Sequence, residues 1–328
     1  MAIGLRLIAA VLLGAAVVPV MSTAGLAQQL THTPARIAVL NPFSPPEPGF
    51  EAFRGALHEL GYTEGQNLVI EIRWAEGRLE RLPQLATELA TLKPDVIFAP
   101  GEQGLRAAKN ATTDTPIVVV ACDPLDKLIA SLARPGGRAT GLSCVHSELA
   151  GKRLELMKEM VPILTRAAVL YNPSDPNKAL EFGQLETAGK RLGVAVRAFE
   201  VIDVDAIDPA FVAITADEPQ ALFILVDAFT IFHRQKLAAL ALESRLPMAS
   251  GFKEFAEAGG VLTYGANRSV LFRHAATYVD KILKGAQPSE LPVEEPTEFE
   301  LYINLKTANT LGLTVPPSVS ARGPQFIE

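Results

Sequence analysis

The chain predicts an α/β protein built of two Rossmann-like lobes with parallel sheets, and three observations carry that prediction. The segment Arg36-Ile37-Ala38-Val39-Leu40-Asn41-Pro42 returns as Arg166-Ala167-Ala168-Val169-Leu170-Tyr171-Asn172-Pro173. After each copy, helix-length stretches alternate with short apolar runs, the pattern of strands joined by helices. Each half holds several such units, so the repeat marks a duplicated lobe, with a cleft expected between the two.

In the first half, Phe50, Phe53, Leu57 and Leu60 recur at spacings of three and four, which puts them on one face of a helix that stops at Gly61. In the strand over 68–74, Leu68, Ile70, Ile72 and Trp74 alternate with Val69, Glu71 and Arg73. One face is wetter, so this strand belongs near a sheet edge. A helix over 79–92, an all-apolar strand over 96–99, a short helix near 104–109 and a buried strand over 117–121 follow. A helix over 125–133, the turn Pro135-Gly136-Gly137 and an apolar run over 139–144 complete the half. The helix over 148–160, with Ser147 as its N-cap, stops before Pro162 and leads into the second copy.

The second half reads as strand 167–170, helix 176–192 closing on Leu192-Gly193, strand 194–201, helix 205–216 and strand 222–226. Helix 230–242, strand 248–251, helix 254–258 and strand 261–264 come next. A helix over 269–283, after a break at Gly265, is read as crossing back to the first lobe. The proline-rich tail flanks one apolar run, 299–305, and reads as a linker between lobes that adds a strand. The lobes are therefore expected at 35–146 plus 267–296 and at 147–266 plus 297–328.

Residues 1–27 carry Arg6, an apolar run over 7–20 and then small residues, with cleavage expected after Ala27. The run is short of the roughly 20 apolar residues that span a bilayer, so it reads as a secretory signal and the mature protein as periplasmic. No cysteine follows the site, so no lipid anchor is expected. A formal net charge of -6 without a Lys/Arg run argues against nucleic acid as a partner. The two cysteines, Cys122 and Cys144, end successive apolar runs. In an exported chain they permit one disulfide, worth about 3 kcal/mol in the entropic model, or stand as two half-buried thiols.

Catalytic signatures are missing: there is no Gly-x-Ser-x-Gly, His-Glu-x-x-His, Walker or Gly-x-Gly-x-x-Gly sequence. The histidines at 32, 58, 146, 233 and 274 lack metal-ligand spacing, and neither metal nor cofactor is implied. What remains are polar and aromatic residues at the carboxyl ends of strands, where open α/β sheets hold ligands. The Ser44 hydroxyl with the N–H groups of the next helix is placed to hold a carboxylate, or simply to cap that helix. Glu102 and Gln103 follow the third strand; Asn172 and Ser174 follow the first strand of the second half. Asp123 and Asp227 each end an apolar strand and suit a cationic group, or helix capping. Phe252 and Tyr264, with Phe43, Tyr171 and Phe229, are candidates to wall an apolar side chain.

Longer segments point to a family. Glu64-Gly65-Gln66-Asn67, Arg73-Trp74-Ala75-Glu76-Gly77, Ser131-Leu132-Ala133-Arg134-Pro135-Gly136-Gly137, Gly151-Lys152-Arg153-Leu154-Glu155-Leu156 and the run from Tyr278 to Ala286 resemble ABC transporter substrate-binding proteins of the tryptophan/tyrosine type. Pro296-Thr297-Glu298-Phe299-Glu300-Leu301 and Ile303-Asn304-Leu305-Lys306-Thr307-Ala308 extend the resemblance over essentially the whole mature chain. It implies a type I periplasmic-binding fold, with three crossovers and lobes that close on a small ligand. It also implies a non-enzymatic monomer that delivers an amino acid or related zwitterion to a membrane permease and its ATPase. Ser44 and helix N-termini would take the carboxylate, Asp123 and Asp227 the ammonium, and Phe252 and Tyr264 the side chain. Glu102 and Gln103 stand where relatives often carry small residues, and an acid there repels a carboxylate or attracts an amine. The alternative is a ligand-sensing subunit that presents its closed form to a membrane receptor or kinase.

Overall fold

The structure, a computed structural model, describes residues 33–122, 129–175 and 177–328. The expected signal segment, Asp123 and residues 125–128 of the expected helix over 125–133 lie outside these residues; 129–133 form bends and coil rather than helix.

The first sheet comes from β1 (Ala35–Asn41), α1 (Pro48–Glu59), β2 (Leu68–Trp74), α2 (Leu82–Thr91), β3 (Val96–Phe98), α3 (Glu102–Ala111), β4 (Ile117–Ala121) and β5 (Ala139–Ser143). Its order is β2-β1-β3-β4-β5, every neighbouring pair parallel. The wetter strand β2 lies at an edge. Along β1, Ile37 and Val39 face one apolar cluster while Ala38 and Leu40 face another, so this strand is buried on both sides.

Helix α4 (His146–Met160) then leads to β6 (Arg166–Tyr171), α5 (Asn177–Leu192), β7 (Ala195–Glu200), α6 (Ile207–Ala216), β8 (Ala221–Ile224), α7 (Ala228–Phe232) and α8 (Arg234–Glu243). The chain continues through β9 (Met248–Ser250), α9 (Lys253–Glu257), β10 (Leu262–Gly265), α10 (Arg268–Leu283), β11 (Glu300–Asn304), α11 (Leu305–Thr310), α12 (Pro317–Ser320) and β12 (Gln325–Ile327). The second sheet runs β12-β11-β10-β9-β8-β6-β7, with β11 antiparallel to β10. The strand expected from the tail is β11. Helix α10 packs on α1, where the Phe272 ring lies against Gly49.

The repeat is visible in the backbone. α1 and α5 each end before a glycine in the left-handed region, Gly61 at φ +93° and Gly193 at φ +66°, which is the conformation that terminates a helix without a Cβ penalty. Two expectations differ. The helix over 230–242 is two helices meeting at His233, because Asp227 and Thr230 form a capping box that starts α7 earlier. Ser147 does not cap α4, which begins at His146 after Val145 in the left-handed region.

Cys122 and Cys144 are bridged, joining the carboxyl ends of the adjacent strands β4 and β5. The two halves touch across the cleft: Gly77, at φ +75°, lies so close to the Phe232 ring that an added Cβ would come within 2.4 Å of it. One apolar cluster accordingly includes Phe43, Val120 and Phe272 from one side and Phe229, Ile231 and Phe252 from the other.

Candidate functional site

A cavity of about 530 Å³, its open mouth included, lies between the carboxyl ends of the two sheets. The loops after β1 and β4 contribute Phe43 and Cys122, and the first turn of α3 contributes Gln103; the second half contributes Lys178, Asp227 and Phe252.

Asp227 ends the apolar run of β8 and opens α7. Its Oδ1 accepts the Thr230 N–H at 2.7 Å, while Oδ2 is buried with no hydrogen-bond partner among the described residues. Burial pushes this carboxyl up to about 6, opposed by the Thr230 N–H, reinforced by Asp175 and opposed again by Lys178. Capping therefore occupies one oxygen and leaves the other available. Gln103 lines the cavity from the first turn of α3, and its buried Nε2 also lacks a partner among the described residues. Glu102 beside it is held across the cleft by Asn177, whose amide donates to Oε2, and from its own helix by Arg106 at 2.5 Å. Burial pushes the Glu102 carboxyl up to about 7, with Asp175 adding to the effect and Arg106 opposing it.

Arg268, the first residue of α10, is the feature that sequence reasoning missed. It is buried, lines the cavity, and lies with its guanidinium 4.7 Å from the ring centres of both Phe43 and Phe272. Nη1 donates to Glu47 at 2.6 Å and reaches Glu254 at 3.5 Å; Nη2 has no partner among the described residues. Burial works against its charge, and the Glu47 and Glu254 carboxylates more than offset that. Its only sequence signal was a basic residue following Asn267, itself the α10 N-cap. Lys178 and Asn177 were likewise unmarked, since a helix start gives no hint of which side chains turn inward. Phe252 forms part of the wall, edge-on to His146 with ring centres 4.6 Å apart.

Four expected positions fall elsewhere. Ser44 neither caps α1 nor lines the cavity: the N-cap is Glu47, whose carboxylate accepts the N–H groups of Gly49 and Phe50, so this helix start already holds an anion. Asn172 is buried in its own turn, where Oδ1 accepts the Ser174 N–H at 2.9 Å, and Ser174 points to solvent. Tyr264 packs beside Phe299 in a separate groove with Lys152 and Arg322. Asp123 lies outside the described residues.

A family model described as ABC transporter substrate binding protein matches residues 38–327. The chain belongs to that family. As a family member it is a substrate-binding protein rather than an enzyme, and its fold is that of the type I periplasmic binding proteins. It is 26% identical over 265 residues, 80% of this chain and 76% of the relative, to a tyrosine-binding protein of Clostridioides difficile (strain R20291). A conserved domain protein from Vibrio cholerae O1 biovar El Tor superposes with a TM-score of 0.82 at 26% identity, covering 89% of this chain and 99% of that one. An ABC domain from Streptococcus pneumonia in complex with L-Trp superposes with a TM-score of 0.84 at 24% identity, covering 90% and 100%.

Proposed function

We propose that this substrate-binding protein captures an amino acid or closely related zwitterion in the interlobe cavity and delivers it from the periplasm to a membrane permease driven by its ATPase. The observation that carries the reading is the set of buried polar atoms on the cavity wall that find no partner among the described residues. Two are donors, Gln103 Nε2 and Arg268 Nη2, and one is an acceptor, Asp227 Oδ2. Each such group costs about 1–3 kcal/mol unpaired, so a ligand that pairs all three gains more than its contacts alone suggest. A carboxylate suits the two donors and an ammonium suits Asp227. Phe43, Phe252 and Phe272 offer an apolar wall to the remainder of the molecule.

The tyrosine-binding relative and the L-Trp complex support an aromatic amino acid as the first probe. The lobes 35–146 plus 267–296 and 147–266 plus 297–328 move as units, and the ligand favours closure only by its greater affinity for the closed form. Calorimetry with the twenty amino acids tests the reading. Heat is expected for L-Tyr or L-Trp, and no heat from any member would overturn it.

A further inference from the structure

The segment Gly151-Lys152-Arg153-Leu154-Glu155-Leu156 lies on α4 and contributes nothing to the cavity wall. Gly151 brings α4 close to α5, where an added Cβ would lie 3.3 Å from that of Ala188. Arg153, 3% exposed, points into the interior. Its Nε donates to the carbonyl of Tyr264 at 2.9 Å, and its Nη1 to the carbonyl of His146 at 3.2 Å. These carbonyls belong to two segments that join the sheets: His146 begins α4 after β5, and Tyr264 lies in β10 just before α10 returns to the first sheet. Nη1 also meets Glu181 Oε1 at 2.9 Å, and Glu181 Oε2 accepts Lys178 Nζ at 2.9 Å. Glu181 and Lys178 are 0% and 1% exposed, and Lys178 lines the cavity.

We propose that Arg153 is the hinge-positioning residue of this protein, holding two interlobe segments together and sensing the cavity through Glu181 and Lys178. The proposal rests on the ligand-binding reading above for its coupling to occupancy. Three arguments support it. A planar fork spans two carbonyls at fixed separation, which a flexible ammonium does not. Buried ion pairs seldom stabilise more than apolar residues of the same volume, so charges retained here serve position better than stability. The residue before His146 is Val145 at φ +48°, a conformation that a β-branched side chain adopts only when neighbours hold it, and that segment is therefore poised to relax on hinge motion.

Two variants test the linkage. Arg153→Lys keeps a charge beside Glu181 but loses the fork; Glu181→Gln keeps both carbonyl bonds but weakens the link to Lys178. Solution X-ray scattering of the ligand-free protein is expected to show a larger radius of gyration for Arg153→Lys and no change for Glu181→Gln. Titration with L-Tyr and L-Trp is expected to show affinity reduced about tenfold or more in both, through faster dissociation. Unchanged scattering for Arg153→Lys, or unchanged affinity in either variant, overturns the proposal. Should Arg153→Lys fail to fold, Glu181→Gln decides by affinity alone. Should the wild type take up neither probe, the amino-acid reading fails separately and the ligand-free scattering of Arg153→Lys decides the hinge role.

Discussion

The two Asn-Pro loops share a backbone and differ in chemistry. In each, the asparagine side chain accepts the N–H two residues on, Asn41 from Phe43 at 3.0 Å and Asn172 from Ser174 at 2.9 Å. Beyond that shared turn they diverge. The first presents the buried Phe43 and leads to Glu47, whose carboxylate fills the start of α1 and pairs with Arg268. The second leads to Asp175, Asn177 and Lys178, which carry polar and charged groups into the cleft. Duplication thus preserved the turn, while the residues just after it assign one lip to structure and apolar contact and the other to charge. An anion-binding helix start is also a poor ligand site once the chain supplies its own anion.

Three measurements can break this contrast. The largest effect is expected at Glu47: Glu47→Gln leaves the buried Arg268 with Glu254, at 3.5 Å, as its only carboxylate among the described residues, and chemical denaturation should show a loss of about 3 kcal/mol. A negligible loss would show that the first lip is not structural.

Next is Asp227, on the charged side of the cavity wall. Asp227→Asn retains a capping oxygen but removes the charge, so affinity for L-Tyr or L-Trp should fall about 10- to 100-fold, the worth of one charged hydrogen bond. The ligand-free protein should respond oppositely. Burial raises this carboxyl from 3.8 to about 6. The folded state then holds its proton more tightly than the unfolded one, and stability falls as pH rises between those values. At pH 7.5, Asp227→Asn relieves that penalty, roughly 3 kcal/mol at most, and should raise the Tm. Ligand affinity in the wild type should weaken below pH 6 as Asp227 takes up its proton. A lower Tm for the variant at pH 7.5 would contradict the buried, unpaired carboxylate.

The smallest effects separate the turns themselves. Asn41→Ala and Asn172→Ala should each cost about 1 kcal/mol, near equal because the hydrogen bond lost is the same. Ser44→Ala should change neither stability nor binding by more than about 0.5 kcal/mol. A large loss of binding in Ser44→Ala, followed by calorimetry, would return the first helix start to the ligand.

Much of the architecture was legible along the chain because periodicity reports burial. The all-apolar runs became central strands, the alternating run over 68–74 became the edge strand β2, and the apolar run in the tail became β11. Function class followed from a family resemblance spread over many segments and from the lack of catalytic motifs. Asp227, Gln103 and Phe252, expected from their places just beyond strand ends, do line the cavity. Ser44, Asn172, Ser174 and Tyr264 also follow strands or sit at their ends, yet Glu47 takes the cap of α1, Asn172 bonds within its own turn, Ser174 is exposed and Tyr264 packs on Phe299.

By itself, then, the sequence determined the duplication, the strand and helix order, the family, and which residue types stand at the ends of strands. Those properties are local or periodic, set by a few neighbours along the chain. Only the tertiary structure decided that Arg268 meets Glu47, that Asn177 reaches Glu102, and that Arg153 holds the carbonyls of both His146 and Tyr264. Each of these contacts joins elements distant in sequence, and which of two neighbouring polar side chains turns inward depends on packing that no single segment encodes.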